Sequence, residues 1–243
     1  MHRLLLATTL LTALATPAAA RLQLSIGDGT STFSCFDGQL GCDVSGGPNN
    51  LLTINTTVGG FFVELTLTQS SFAPGHNVLQ LSSSSIINNG ATPGTLTFVA
   101  GDTDFVPPVS SIQESASLTF NDAVGSGAST LKFWADPLNT QGANPTNTPG
   151  PLLFSVPGTP TTDPDSFAGT HNSPFSASGP FSMTEGASLN LIAGGSITGF
   201  NESMTSGVVP EPQTWALMGV GFGFMAWLGL RRRKPARFAI ESP

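Results

Sequence analysis

The stretch "LLTINTTVGGFFVELTLTQ" (residues 51–69) decides the fold class. Apolar and polar side chains alternate through residues 51–58, and after the glycine pair Phe61, Val63, Leu65 and Leu67 share one side of an extended backbone. A period of two marks a strand with one buried face, because successive side chains of an extended chain point in opposite directions. Gly59-Gly60 supplies a two-residue reversal, so the whole stretch reads as a hairpin.

The same pattern recurs at residues 22–28, 77–83, 94–100, 116–120, 129–135, 151–156, 181–193 and 196–205. Thr and other β-branched residues are common in these runs. Gly194-Gly195 separates the last two and reads as a second hairpin. Strong helix formers are scarce, and Gly or Pro interrupts nearly every window. The expectation is an all-β domain over residues 21–207, built as a β-sandwich with a jelly roll as candidate topology. "DGTSTF" from Asp28 reads as an ordinary turn. Residues 136–172, rich in Pro, Thr and Asn, read as a long surface loop or a hinge.

Charge narrows the function classes. The chain has 243 residues, of which 9% are charged, and no Tyr. Between residues 22 and 207 Lys132 is the only base, against thirteen carboxylates. Phosphate binding needs clustered Lys or Arg, so nucleic acid is excluded as a partner of this region. The abundance of Ser, Thr, Asn and Gly fits a secreted surface.

The first residues, "MHRLLLATTLLTALATPAAA", place Arg3 before an apolar core and close on small residues. That order is a secretory signal peptide over residues 1–20, with cleavage between Ala20 and Arg21. Its apolar core is too short for a stable membrane anchor. Cys35 and Cys42 enclose the loop "CFDGQLGC". In an oxidising compartment they suit a disulfide, with free thiols as the alternative; a metal site lacks a nearby His and further thiols.

The other end, "VVPEPQTWALMGVGFGFMAWLGLRRRKPARFAIESP" (residues 208–243), holds most of the basic residues. Residues 214–230 carry no charge. As a transmembrane helix they would span about 26 Å, enough for a thin bilayer. Trp215 and Trp227 stand near the two ends of the run, where amphipathic rings favour the headgroup level. Arg231, Arg232, Arg233 and Lys234 follow at once, which keeps the tail at 235–243 cytoplasmic and the domain outside. "GVGFG" at 219–223 lacks the strand, third glycine and acidic residue of a dinucleotide fingerprint, so no cofactor is implied.

Val209-Pro210-Glu211-Pro212, an apolar helix and an Arg run, in that order behind a signal peptide, resemble the PEP-CTERM sorting signal of Gram-negative bacteria. The resemblance covers about residues 209–234, and the tail after the Arg run is longer than the family's. It implies that an exosortase is the partner, recognising Pro210-Glu211-Pro212 and removing the helix near there. It also implies a setting of exopolysaccharide and biofilm, with the protein first anchored in the membrane and then delivered to the cell surface or matrix. The prolines can neither continue a helix nor donate backbone hydrogen bonds, so the motif stays extended, as a processing enzyme requires.

Chemistry in the middle of the chain is sparse. His76 and His171 lie in turn-like contexts, and no G-x-S-x-G elbow is present. Asp102 with Asp104, and Asp163 with Asp165, could offer oxygen ligands to Ca²⁺, with solvated loops as the alternative. Asn55 and Asn201 open N-x-[ST] sequences, which carry little weight in a bacterium. No residue is assigned a catalytic or metal-binding role. The leading expectation is a non-enzymatic exported surface or matrix protein. A carbohydrate-binding module using Trp134, which could equally be a core residue, comes second, and a secreted hydrolase third.

Overall fold

The computed structural model describes residues 22–143 and 150–207, with the backbone alone for 65–68. Twelve strands form among them: β1 (Gln23–Gly27), β2 (Thr32–Phe36), β3 (Leu51–Val58), β4 (Phe61–Ser71), β5 (Val78–Asn88) and β6 (Gly94–Phe105), then β7 (Val109–Asn121), β8 (Ser129–Asp136), β9 (Leu152–Gly158), β10 (Asp165–Ala177), β11 (Phe181–Leu191) and β12 (Ser196–Gly207). The domain is all-β, as its period of two requires. The segments expected to be a signal peptide (1–20), a membrane helix (214–230) and its basic cluster lie outside the described residues. Among the described residues no helix is long and apolar enough to cross a membrane.

The strands form two antiparallel sheets of six, ordered β2-β1-β6-β11-β8-β9 and β10-β7-β12-β5-β4-β3. From β5 to β12 the chain changes sheet at every step except β8 to β9. The hairpins β1/β2 and β3/β4 extend one edge of each sheet, against β6 and β5. One apolar core lies between the inner faces, drawing Leu24, Phe98, Phe133 and Leu189 from the first sheet and Leu79, Ile112, Phe120 and Met204 from the second. Phe98 and Phe200 meet across it with ring centroids 6.0 Å apart. Each such Phe contributes roughly 1.5–3 kcal/mol by leaving water.

Two sequence readings are corrected and a third is narrowed. Gly59-Gly60 does close a hairpin, pairing Val58 with Phe61. Gly194-Gly195, however, joins β11 to β12, which lie in different sheets. A glycine turn reverses the chain without specifying which sheet receives it. Residues 136–172 are no continuous loop: the strand expected at 151–156 is there as β9, and the start of β10 was not expected. Strand β10 escapes the apolar-alternation test because it is an edge strand whose Thr170, His171 and Asn172 are exposed. Pro174 fits there, because only one side of an edge strand must donate to a ladder. Finally, the "DGTSTF" turn is followed at once by β2. Asp28 caps the turn, accepting the N–H groups of Thr30 (2.8 Å) and Ser31 (2.6 Å), and β2 pairs back onto β1 from Thr32.

Candidate functional site at the pole joining both flanking segments

Register places the first and the last described residues at one end of the fold. Gln23 at the start of β1 lies opposite Phe36 on one side and Gly101 on the other. In the second sheet Gly207, the last residue of β12, lies opposite Ser111 near the start of β7, and Thr205 opposite Val78 at the start of β5. The short link from β6 to β7 joins the two sheets at this same end. The segments read as signal peptide and sorting signal therefore attach to the same pole. Residues 37–50, 72–77, 106–108 and 137–143 form its loops.

Hydrogen bonds knit this pole together. Asp37 donates its N–H to Leu22 O (2.9 Å), and its carboxylate accepts the N–H groups of Asn49 and Asn50 (2.8 Å for Asn50). Ser70 N–H reaches Asn50 O (3.1 Å), and its hydroxyl donates to Asp102 Oδ2 (2.6 Å). Asn77, fully buried, clamps three segments. Its Nδ2 donates to Val106 O (2.9 Å), its Oδ1 accepts Val106 N–H (2.9 Å), and its backbone N–H donates to Ser206 Oγ (3.0 Å). Asp104 N–H donates to Asn139 Oδ1 (2.7 Å), which fastens the loop after β8.

Cys35 and Cys42 are joined as a disulfide, with Cα atoms 6.0 Å apart. It closes the first loop of the pole, and such a short loop adds about 2 kcal/mol. Asp43 stabilises the same loop. Burial works against its charge, but the Ser45 hydroxyl and the N–H groups of Gly38, Ser45 and Thr53 outweigh that and hold the carboxyl below the usual carboxylate range. Asp102 goes the other way. Burial pushes it up to about 6, against the pull of Ser70 and the Thr103 N–H.

The remaining sequence candidates are scattered. Asp102 is buried beneath the pole and engaged by Ser70, and Asp104 is engaged by Asn139. Asp163 and Asp165 lie at the opposite end, where Asp165 accepts Thr161 N–H (2.8 Å) and Asp163 accepts Asp122 N–H (2.9 Å). Among the described residues no group of three or more His, Cys, Asp or Glu is gathered as a metal site. His76 is exposed in a turn, and His171 stacks on Phe154 with centroids 4.9 Å apart. Trp134 is half-buried on the outer face of the first sheet, opposite Thr184 on β11. Its indole lies so close over Gly186 that a Cβ there would stand 3.0 Å from Cζ3.

Sequence reasoning missed three core glutamates. Glu114, Glu185 and Glu202 are all fully buried. Burial first, and then the neighbouring Glu202, raises Glu185 well above the usual range; burial raises Glu202 likewise. Burial also raises Glu114, opposed by the Ser173 hydroxyl and His171. The signal was present in the strand parity: Glu185 falls in step with Phe181, Met183, Ala187 and Leu189.

Comparison with known proteins bears on the segment beyond Gly207. Residues 208–234 match the family model described as the PEP-CTERM protein-sorting motif. The chain carries a PEP-CTERM sorting signal. This PEP-CTERM segment starts at the residue directly after β12. No curated protein matches the chain. Among solved structures, one titled "CBM4 structure and function" is similar at 12% identity, covering 60% of this chain and 78% of that one, with a TM-score of 0.25. The enzymatically active domain of tailspike protein 4 from bacteriophage CBA120 is similar at 13% identity, covering 62% of this chain and 18% of that one, with a TM-score of 0.24. Scores this low carry no argument about function.

Proposed function

We propose that this protein is an exported, non-enzymatic surface or matrix protein, held briefly in the membrane by residues 214–230 and released when an exosortase cuts near Pro210-Glu211-Pro212. The observation that carries this reading is the sorting motif at 208–234, set directly behind the last strand of a folded domain. Gly207 is the last residue of β12 and the motif begins at residue 208, so no residue separates the two. The strand order supports a jelly-roll sandwich: β5-β12-β7-β10 and β6-β11-β8-β9 are the two four-stranded halves of that topology. The biological setting proposed is the exopolysaccharide matrix. The mass of the mature protein recovered from cells tests the reading. A C-terminus near Pro212 supports processing, and a mass that includes residues 235–243 defeats it.

A second reading, carbohydrate binding on the outer face of the first sheet, is favoured by Trp134, whose half-buried ring packs against Gly186. The surrounding outer face offers hydroxyl groups, among them Thr97 and Thr130. A polysaccharide array on which Trp134→Ala loses a signal supports it, and an array with no binding removes it.

A further inference from the structure

We propose that the pole carrying both flanking segments rests on the outer surface of the cytoplasmic membrane before processing, through two apolar corners. The proposal builds on the anchored state put forward above. Six large apolar residues are exposed among the described residues: Leu40 (96%), Val44 (71%), Leu51 (37%), Val124 (50%), Leu138 (84%) and Leu152 (53%). Scattered single residues of this kind are ordinary. Here five of the six belong to one pole, and only Val124 lies at the other. Leu40 projects from the disulfide loop and Val44 from just beyond it, and Val44 is tied beside β3 by its N–H to Thr53 O (2.9 Å). Leu51 opens β3. Leu138 and Leu152 sit across the fold, after β8 and at the start of β9.

The two corners are separated by most of the first sheet, four to five strand spacings, or about 20–25 Å. The tether leaves from β12, inside the second sheet. Two apolar corners flanking a tether suit a broad flat surface better than a groove for a single peptide. The tether is short: six residues separate Gly207 from Thr214, so an extended chain reaches at most about 25 Å. A protein held on that lead keeps this pole at the bilayer. The local carboxylates are engaged within the pole: Asp37, Asp43, Asp102 and Asp136 accept loop N–H or hydroxyl groups, and Asp104 accepts the Asn139 amide. The leucines are what project outward, and apolar side chains favour the headgroup–acyl boundary.

The test uses the full chain reconstituted in phosphatidylethanolamine–phosphatidylglycerol vesicles. Nitroxide labels are placed by Leu40→Cys, Leu138→Cys and, as the far-pole control, Val124→Cys, with the native disulfide left oxidised. These positions are exposed, so labelling removes no core contact. At positions 40 and 138, collision with lipid-soluble oxygen should exceed collision with a water-soluble nickel chelate, and at 124 the order should reverse. Labels that all favour the chelate while the chain stays vesicle-bound would overturn the docking and leave the anchor standing. Extraction of the chain by alkaline carbonate would overturn the anchored state and the docking with it. Spin–spin broadening between copies labelled at 138 would assign the corner to a second copy and also defeat the proposal.

Discussion

The carboxyl group of Asp102 sits with no exposure beneath the pole, accepting the Ser70 hydroxyl at 2.6 Å and the Thr103 N–H at 2.8 Å. Its pKa is raised by burial to about 6, from 3.8 in the unfolded chain. A raised acid binds its proton more tightly in the folded state. The stability it contributes is therefore complete below the unfolded value and is lost as pH rises through about 6. Asp102→Asn keeps the shape, and its amide can donate to Ser70 while its oxygen accepts from Thr103. At pH 7.5 the variant should be the more stable by up to about 3 kcal/mol, with the difference vanishing near pH 4. Denaturant melts at both pH values check this. Glu114, Glu185 and Glu202 shift in the same direction but are present in both chains, so the difference isolates Asp102. Those glutamates also mark where sequence reading fell short. Six of the thirteen carboxylates between 22 and 207 are buried. Composition counts these carboxylates without assigning them a face, whereas strand parity already placed Glu202 in step with Phe200 and Met204. Parity reports which face a residue occupies; composition does not.

At the scale of single elements, the hairpin at 51–69 and the disulfide loop were legible, because each rests on contacts close in sequence. Removing the disulfide by replacing Cys35 and Cys42 with Ser together should cost about 2 kcal/mol, which lowers Tm by roughly 4–8 °C for a domain of this size. Calorimetry under oxidising and reducing conditions checks it: the two curves should coincide for the variant and separate for the parent. Strand β11 offers a second test. Gly186 has the Phe98 carbonyl oxygen 2.9 Å and the Trp134 ring 3.0 Å from where a Cβ would stand. Gly186→Ala therefore forces backbone or indole to shift and should destabilise by roughly 1–3 kcal/mol. Trp134→Ala in the same background should recover only the part due to the ring, because the carbonyl stays in place. Strand β10 was illegible for a reason specific to edges. Its Thr, His and Asn side chains face water, and only its ladder to β7 makes it a strand.

For the whole molecule, the fold class follows from a period of two, but the sheet that each strand joins does not. Nothing local in Gly194-Gly195 reveals that β11 and β12 part company there. Placement is set by long-range pairing: β12 is held between β7 and β5, strands more than seventy residues earlier in the chain. That position makes a sharp prediction about truncation. A chain ending at Gly207 keeps every described strand, and with them the Asn77–Ser206 clamp, and should melt within about 1 °C of the mature protein. It should also reach the extracytoplasmic space without membrane retention, since the apolar run is gone. A chain ending at Gly195 loses the strand between β7 and β5, leaving two buried sheet edges without partners. It should be recovered only as aggregate or degradation products. Circular dichroism melts and fractionation of the two truncations distinguish the cases. Equal folding of both would show that β12 is a dispensable appendage to the sheet, and that the sorting motif does not follow directly on the last essential strand.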